Sequence, residues 1–201
     1  LFLPKQKINY MIKSFLKSKI ILYIFCFLRK IYRNYKKYSL LPYKLELIQE
    51  SLGRIERRQC LDKDFNSSEF KVFSQWGEDG LIQFLINTLN VKNKVFVEFG
   101  VENYKESNTR FLMINDYWDG LVIDGSKKNI ETINEDKISW ARNLKAICSF
   151  ITRENINKLL KDNNISGDIG LLSIDIDGND YWVWEEINVI NPCIVIIEYN
   201  S

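Results

Sequence analysis

The chain has 201 residues, 46% hydrophobic and 27% charged, with a formal net charge of +2 and no histidine, which fits one folded core plus an appendage. Without histidine, acid/base chemistry falls to carboxylates, Lys, Tyr or Cys, and any metal would be a hard ion on oxygen ligands. Cys26, Cys60, Cys148 and Cys193 lie far apart with no CxxC spacing, so neither a zinc site nor a disulfide framework is indicated and a reducing cytoplasm fits best.

The charge is divided along the chain. Residues 1–63 carry 15 basic and 4 acidic residues, whereas 64–201 carry 13 and 22. From Asn9 to about Arg58 the pattern is helical, interrupted at Ser39 to Pro42, with lysines and tyrosines among apolar residues. Within it Ile20 to Leu28 is apolar throughout but too short for a bilayer core that needs about 20 helical residues. This arm reads either as a cationic amphipathic segment lying on an anionic membrane surface or as a pair of packing helices with solvated lysines. Nucleic acid is a weaker partner, because no recognised motif accompanies the charge.

After a polar linker at Asp62 to Glu69, apolar strands alternate with helical stretches. The pattern predicts a helix over Glu78 to Leu89, a strand over Val95 to Phe99, a helix over Asn108 to Asn115 and a strand over Leu121 to Asp124. It continues with a helix over Lys128 to Glu135, a strand near Lys145 to Cys148, and a helix over Arg153 to Asp162. A strand over Ile169 to Asp175, a helix over Trp182 to Ile187 and a strand over Cys193 to Glu198 complete it. Such alternation means an α/β domain, a parallel sheet covered on both faces. Two domains follow: a basic helical arm over 1–63 and a doubly wound body over 64–201.

Two strand ends carry the chemistry. Val95 to Gly100 ends in a glycine, which lets backbone approach a ligand, and Leu121 to Asp124 ends in a carboxylate that can grip a ribose diol. Together they point to an adenosine-containing cofactor. The run Asp175-Ile-Asp177-Gly178-Asn179-Asp180 puts a carboxylate cluster at a third strand end, facing the same crevice. Its spacing imitates a calcium loop, but the sixth position is Asp180 instead of glycine and a strand precedes it. It would either hold a divalent ion that orients a sugar diol or supply a carboxylate base, and a plain turn with Asp180 capping the next helix is the structural alternative. Asp124 likewise has an alternative role as a helix N-cap. Trp76 and Tyr104, beside the cleft, are candidate acceptor-lining residues.

The phrases Ser74-Gln-Trp-Gly-Glu-Asp-Gly80, Val97-Glu-Phe-Gly-Val-Glu-Asn103 with Glu106-Ser-Asn-Thr109, Ile123-Asp-Gly-Ser126, Ser173 to Trp182 and Ile197-Glu-Tyr-Asn200 resemble the class I S-adenosylmethionine-dependent methyltransferases. Within them the chain looks like the FkbM-like group found in bacterial surface-glycan clusters. The resemblance covers Phe73 to Asn200 and implies a Rossmann-like sheet of order 3-2-1-4-5. It implies that Glu98 and Gly100 line the methionine and ribose end of the cofactor, Asp124 holds the ribose with Ser126 nearby, and Ser149 and Phe150 flank the adenine. Asp175 and Asp177 would face the transferred methyl, as catalytic residues or as ligands of a cation such as Mg²⁺, with Asn179 and Glu198 on the acceptor.

The turn after Gly100 reads Val101-Glu102-Asn103-Tyr104, without the further glycines of the common loop, and Asn103 is expected to take the left-handed conformation instead. A loop containing Glu102 and lacking GxGxxG also argues against a phosphate-bearing dinucleotide. The expected activity is O-methylation of a bacterial surface-polysaccharide precursor, capsule or lipopolysaccharide. Its acceptor would be a glycan or lipid-linked sugar, met in the cytoplasm or at the inner face of the membrane. The alternative is a non-catalytic Rossmann-like binding module. Because the chain stops at Ser201, three residues past Glu198, the body is expected to be C-terminally incomplete relative to that family's sheet.

Overall fold

A computed structural model describes residues 23, 25–33, 40–60 and 64–199. The chain divides into two compact units, Leu1–Ile48 and Gln49–Ser201. In the first, residues 25–33 are helical and Phe25, Phe27, Leu28 and Ile31 are exposed. Of the arm read as a candidate membrane-surface segment, residues 9–22, 24 and 34–39 fall outside the described residues. Among the described residues no helix is long and apolar enough to cross a membrane.

Helix α1 (Leu41–Cys60) runs across the boundary between the units, and its second half packs within the second. There Gln49 Nε2 donates to the Val72 carbonyl, Arg57 pairs with Asp116 at 3.0 Å, and a Cβ at Gly53 would meet Val72 at 2.4 Å. Residues 49–60, read from sequence as arm, therefore pack with the body.

A short 3₁₀ turn (Asn66–Ser68) leads to α2 (Glu78–Thr88) and β1 (Val95–Phe99). Next come α3 (Arg110–Asp116), β2 (Asp119–Asp124), α4 (Lys127–Glu135), α5 (Lys137–Ala141) and β3 (Leu144–Cys148). Then α6 (Ile156–Asp162), β4 (Gly167–Ile174), α7 (Asp180–Glu186) and β5 (Ile190–Ile197) follow. The strands form one parallel sheet of order β3-β2-β1-β4-β5, as the sequence led one to expect.

Because successive side chains of a strand point to opposite faces, Phe96 and Val97 enter different layers. Phe96, Val122 and Leu171 pack with Ile82 of α2, Met113 of α3 and Ile133 of α4, while Val97, Ile123 and Leu172 pack with Leu160 of α6 and Val183 of α7. Each such side chain, fully buried, contributes about 1.5–3 kcal/mol. Both faces of the sheet are thus covered, which is why the middle of β1, β2 and β4 is apolar on both sides.

The boundaries differ from the sequence pattern for local reasons. Helix α3 starts at Arg110 because the N–H groups of Asn108 and Thr109 are spent on Glu98. Strand β5 starts at Ile190, ahead of Pro192, a residue that cannot donate to a ladder and is tolerated in a strand paired on one side. Helix α5 was not anticipated; it begins where Asp136 accepts from the Ile138 N–H at 3.1 Å.

Candidate functional site

A cleft of about 610 Å³ opens at the carboxyl ends of the strands, where open parallel sheets bind ligands. The sheet order reverses between β1 and β4, so the residues following these strands meet there. Ladder bonding continues past the strand ends: Gly100 N–H donates to Ile123 O at 3.0 Å, Ser149 N–H to Asp124 O at 3.0 Å, and Glu198 N–H to Ile174 O at 3.0 Å. With Asp175 N–H donating to Phe99 O at 3.3 Å between β4 and β1, all five strand tips are fixed relative to one another.

Gly100 occupies the switch point. Its φ is +71°, and a Cβ there would stand 1.5 Å from the Asp175 carbonyl oxygen, so only glycine fits. The chain then turns through Glu102 (φ 46°) and Tyr104 (φ 61°). Asn103, expected to take the left-handed conformation, does not. Its carboxamide oxygen accepts from the Lys105 N–H at 3.0 Å, its side chain is exposed, and it is not among the residues lining the cleft.

Glu98 holds the return of this loop. Its carboxylate accepts from Ser107 Oγ at 2.8 Å, Asn108 N at 2.9 Å, Thr109 N at 3.2 Å and the Thr109 hydroxyl. Burial pushes its carboxyl above the usual range, against the pull of these donors. Tyr104 does not line the acceptor space, contrary to expectation. It is fully buried, its hydroxyl is 2.9 Å from Thr109 Oγ1, and burial together with the Glu98 charge pushes its phenol upward. The aromatic residue reads as a lining group from its place in the sequence, but the left-handed turn at Tyr104 directs it into the core.

Asp124, at the tip of β2, is buried and lines the cleft. One oxygen accepts from Glu102 N at 2.9 Å, the other from Ser126 N at 2.7 Å and Asn129 Nδ2 at 3.1 Å. The helix cap itself is Ser126, whose hydroxyl accepts from the Asn129 N–H at 3.3 Å. Ser126 is thereby occupied with α4 and is not among the lining residues, which corrects its assignment to the cofactor. Ser149 and Phe150, after β3, do line the cleft, with Phe150 76% exposed.

The opposite wall comes from β4 and β5. Asp175, Asp177 and Glu198 are all exposed, and one carboxylate oxygen of each lies within 4.8 Å of the others. Partial burial, a hydrogen bond with Glu198, the charge of Glu198, and then Asp180 and Asp177 push the Asp175 carboxyl up to about 7. The loop is bent through left-handed Asp177 (φ 56°) and Gly178 (φ 102°). Asp180 does not cap α7; its buried carboxylate accepts from Ile176 N at 2.8 Å and Gly178 N at 2.9 Å and clasps the loop. Asn179 also lines the cleft.

Trp76 closes one side, 73% exposed. It is presented by a turn wound around Asp79, whose Oδ2 accepts from the N–H groups of Val72, Phe73 and Ser74 at 2.7 to 2.8 Å. Burial raises the Asp79 carboxyl. Gly80 must lack a side chain because a Cβ would lie 2.0 Å from the Ser68 carbonyl. The phrase Ser74 to Gly80 is thus a device for placing Gln75, Trp76 and Glu78 at the cleft.

Of the residues singled out from sequence, Trp76, Glu98, Gly100, Asp124, Ser149, Phe150, Asp175, Asp177, Asn179 and Glu198 share the cleft, while Asn103, Tyr104 and Ser126 do not. Gln75, Glu78, Glu102, Glu106, Ser107 and Asn108 line it without having been assigned a role. Their signal was present, since all fall within the motif phrases. What was missing was the return of the loop onto Glu98.

No family model and no curated protein matches the chain. Among solved structures it is similar to an S-adenosylmethionine-dependent methyltransferase from Clostridium acetobutylicum ATCC 824, with a TM-score of 0.38 and 15% identity. The match covers 69% of this chain and 45% of that one, so the chain spans less than half of that protein's length.

Proposed function

We propose that the cleft binds S-adenosylmethionine and transfers its methyl group to a hydroxyl oxygen, with a sugar of a bacterial surface-polysaccharide precursor as acceptor. The observation that carries this reading is the meeting of the Gly100 backbone, the Asp124 carboxylate and the Asp175 carboxyl in one cleft at the topological switch point. Asp124 lies where a ribose diol is gripped in such sheets. The glycan acceptor follows from the sequence resemblance, the cytoplasmic setting from the cysteine pattern, and contact of the basic arm with an anionic membrane from its charge and short apolar run.

In this reaction the acceptor oxygen attacks the methyl carbon, the carbon–sulfur bond breaks, and its electron pair stays on sulfur as a neutral thioether. The hydroxyl proton passes to the Asp175 carboxylate, whose value of about 7 suits a base at neutral pH. Because the sulfonium already activates the methyl group, alignment is the protein's main contribution. The oxygens of Asp175, Asp177 and Glu198 also fit a hard divalent cation such as Mg²⁺. Turnover that survives a chelator separates the base from that second arrangement.

The test is calorimetry on the intact chain. S-adenosylmethionine should bind, and Asp124→Ala should weaken binding by about 1.5–3 kcal/mol, the worth of hydrogen bonds to a charged group. No binding, or equal binding by the variant, overturns the reading. Binding without methyl transfer to any hydroxyl acceptor would instead favour a non-catalytic Rossmann-like module.

A further inference from the structure

The cleft carries charge of one sign. Eight of the residues lining it are aspartate or glutamate, and among the described residues no lysine or arginine lines it. At the rim Lys71 Nζ lies 3.6 Å from Glu106. Glu98 and Asp124 have their oxygens taken by neutral donors, which hold the carboxylates without adding positive charge. Glu102, Asp175, Asp177 and Glu198 are exposed residues on the same space. A concave site with low-dielectric walls concentrates such a field on whatever enters it.

At each loop that would receive a phosphate, one backbone donor is already spent. The Glu102 N–H at the β1 turn and the Ser126 N–H at the start of α4 both donate to Asp124. These two donors, of the kind that elsewhere cradle an anion, are already satisfied by a carboxylate.

We propose that this cleft selects its ligands by charge, holding the sulfonium cofactor more tightly than its demethylated product and admitting acceptors as neutral or cationic groups with any phosphate kept outside. The inference rests on the methyl-transfer reading above. Methyl transfer turns the sulfonium into a thioether, so the product differs from the cofactor by one positive charge and one methyl group. The attraction of the acidic lining is lost at that moment, and product release is favoured. A lipid-linked sugar would present its hydroxyl with its phosphates beyond the mouth.

Calorimetry with four probes on the intact chain tests this: S-adenosylmethionine, S-adenosylhomocysteine, adenosine and ADP. The sulfonium form should bind about tenfold tighter than the thioether, the scale of one close charge interaction partly screened by solvent. ADP should bind more weakly than adenosine, both gaps should narrow as salt is raised, and Glu102→Gln should narrow them at low salt. A thioether that binds as tightly as the sulfonium form, or ADP as tight as adenosine, overturns the inference while leaving methyl transfer standing. Failure of all four to bind overturns the methyl-transfer reading and the inference with it.

Discussion

At the tips of β1 and β2, Glu98 and Asp124 are buried and ringed by donors, whereas at the tips of β4 and β5, Asp175, Asp177 and Glu198 stand exposed with other carboxyls for neighbours. The first pair is fixed in place: every oxygen accepts from a loop it organises. In the second group Asp175, with its carboxyl pushed up to about 7, can exchange a proton. Carboxylates at equivalent places on one sheet therefore anchor loops on one side and, at Asp175, are poised to take a proton on the other. Burial raises both the Glu98 and the Asp175 carboxyl; the neighbours differ, donors opposing the rise at Glu98 and acids adding to it at Asp175.

Removing a carboxylate from each side should break different things. Glu98→Ala leaves the buried N–H groups of Asn108 and Thr109 without an acceptor. A loss of about 3–5 kcal/mol is expected, typical of breaking a buried hydrogen-bonded charge. Denaturant unfolding monitored by circular dichroism measures it. A shift of the midpoint too small to register would mean that the loop is held by something other than Glu98.

Asp175→Asn is the counterpart, and its effect falls on turnover. Loss of the base should slow methyl transfer by about a hundredfold or more, with cofactor affinity little changed. Stability should not fall. A carboxyl raised to about 7 favours the folded state only while protonated, a contribution present below the ordinary carboxylate value and lost as pH rises through 7. At pH 8 the asparagine variant is therefore relieved of a charge the fold resists, and its melting temperature should hold or rise. Turnover equal to that of the parent protein would remove Asp175 from the chemistry.

The asymmetry also explains what could be read from the sequence. The sheet and its order were legible because strands such as Val95–Phe99 and Leu121–Asp124 are apolar on both faces and end in Gly100 and Asp124. The positions of Tyr104, Asn103 and Ser126 were not, because each depends on a local hydrogen bond: Tyr104 to Thr109, Lys105 N–H to Asn103, and Asn129 N–H to Ser126. The alternative in which Asp180 caps the next helix fails for the same reason, since a carboxylate beside a glycine turn can bond forward into the helix or back onto the loop. Periodicity registers burial over several residues; it does not register which of two nearby donors an oxygen chooses.

The smallest effect expected is a displacement of the pH profile, and it sharpens the comparison most. If ionised Asp175 accepts the proton, the rate should fall as pH drops through about 7. Because Asp175 and Glu198 are hydrogen-bonded carboxyls, that limb belongs to the pair and not to one residue. Glu198→Gln removes a negative neighbour and can offer the Asp175 carboxylate an amide donor in place of an acid. Both changes favour ionisation, so the acid limb should move to lower pH. The equivalent substitution on the other wall, Glu102→Gln, should leave the limb where it is, since Glu102 is not among the groups that shift Asp175. A limb that ignores Glu198, or that follows Glu102 equally, would assign the proton to a group outside the β4 and β5 tips.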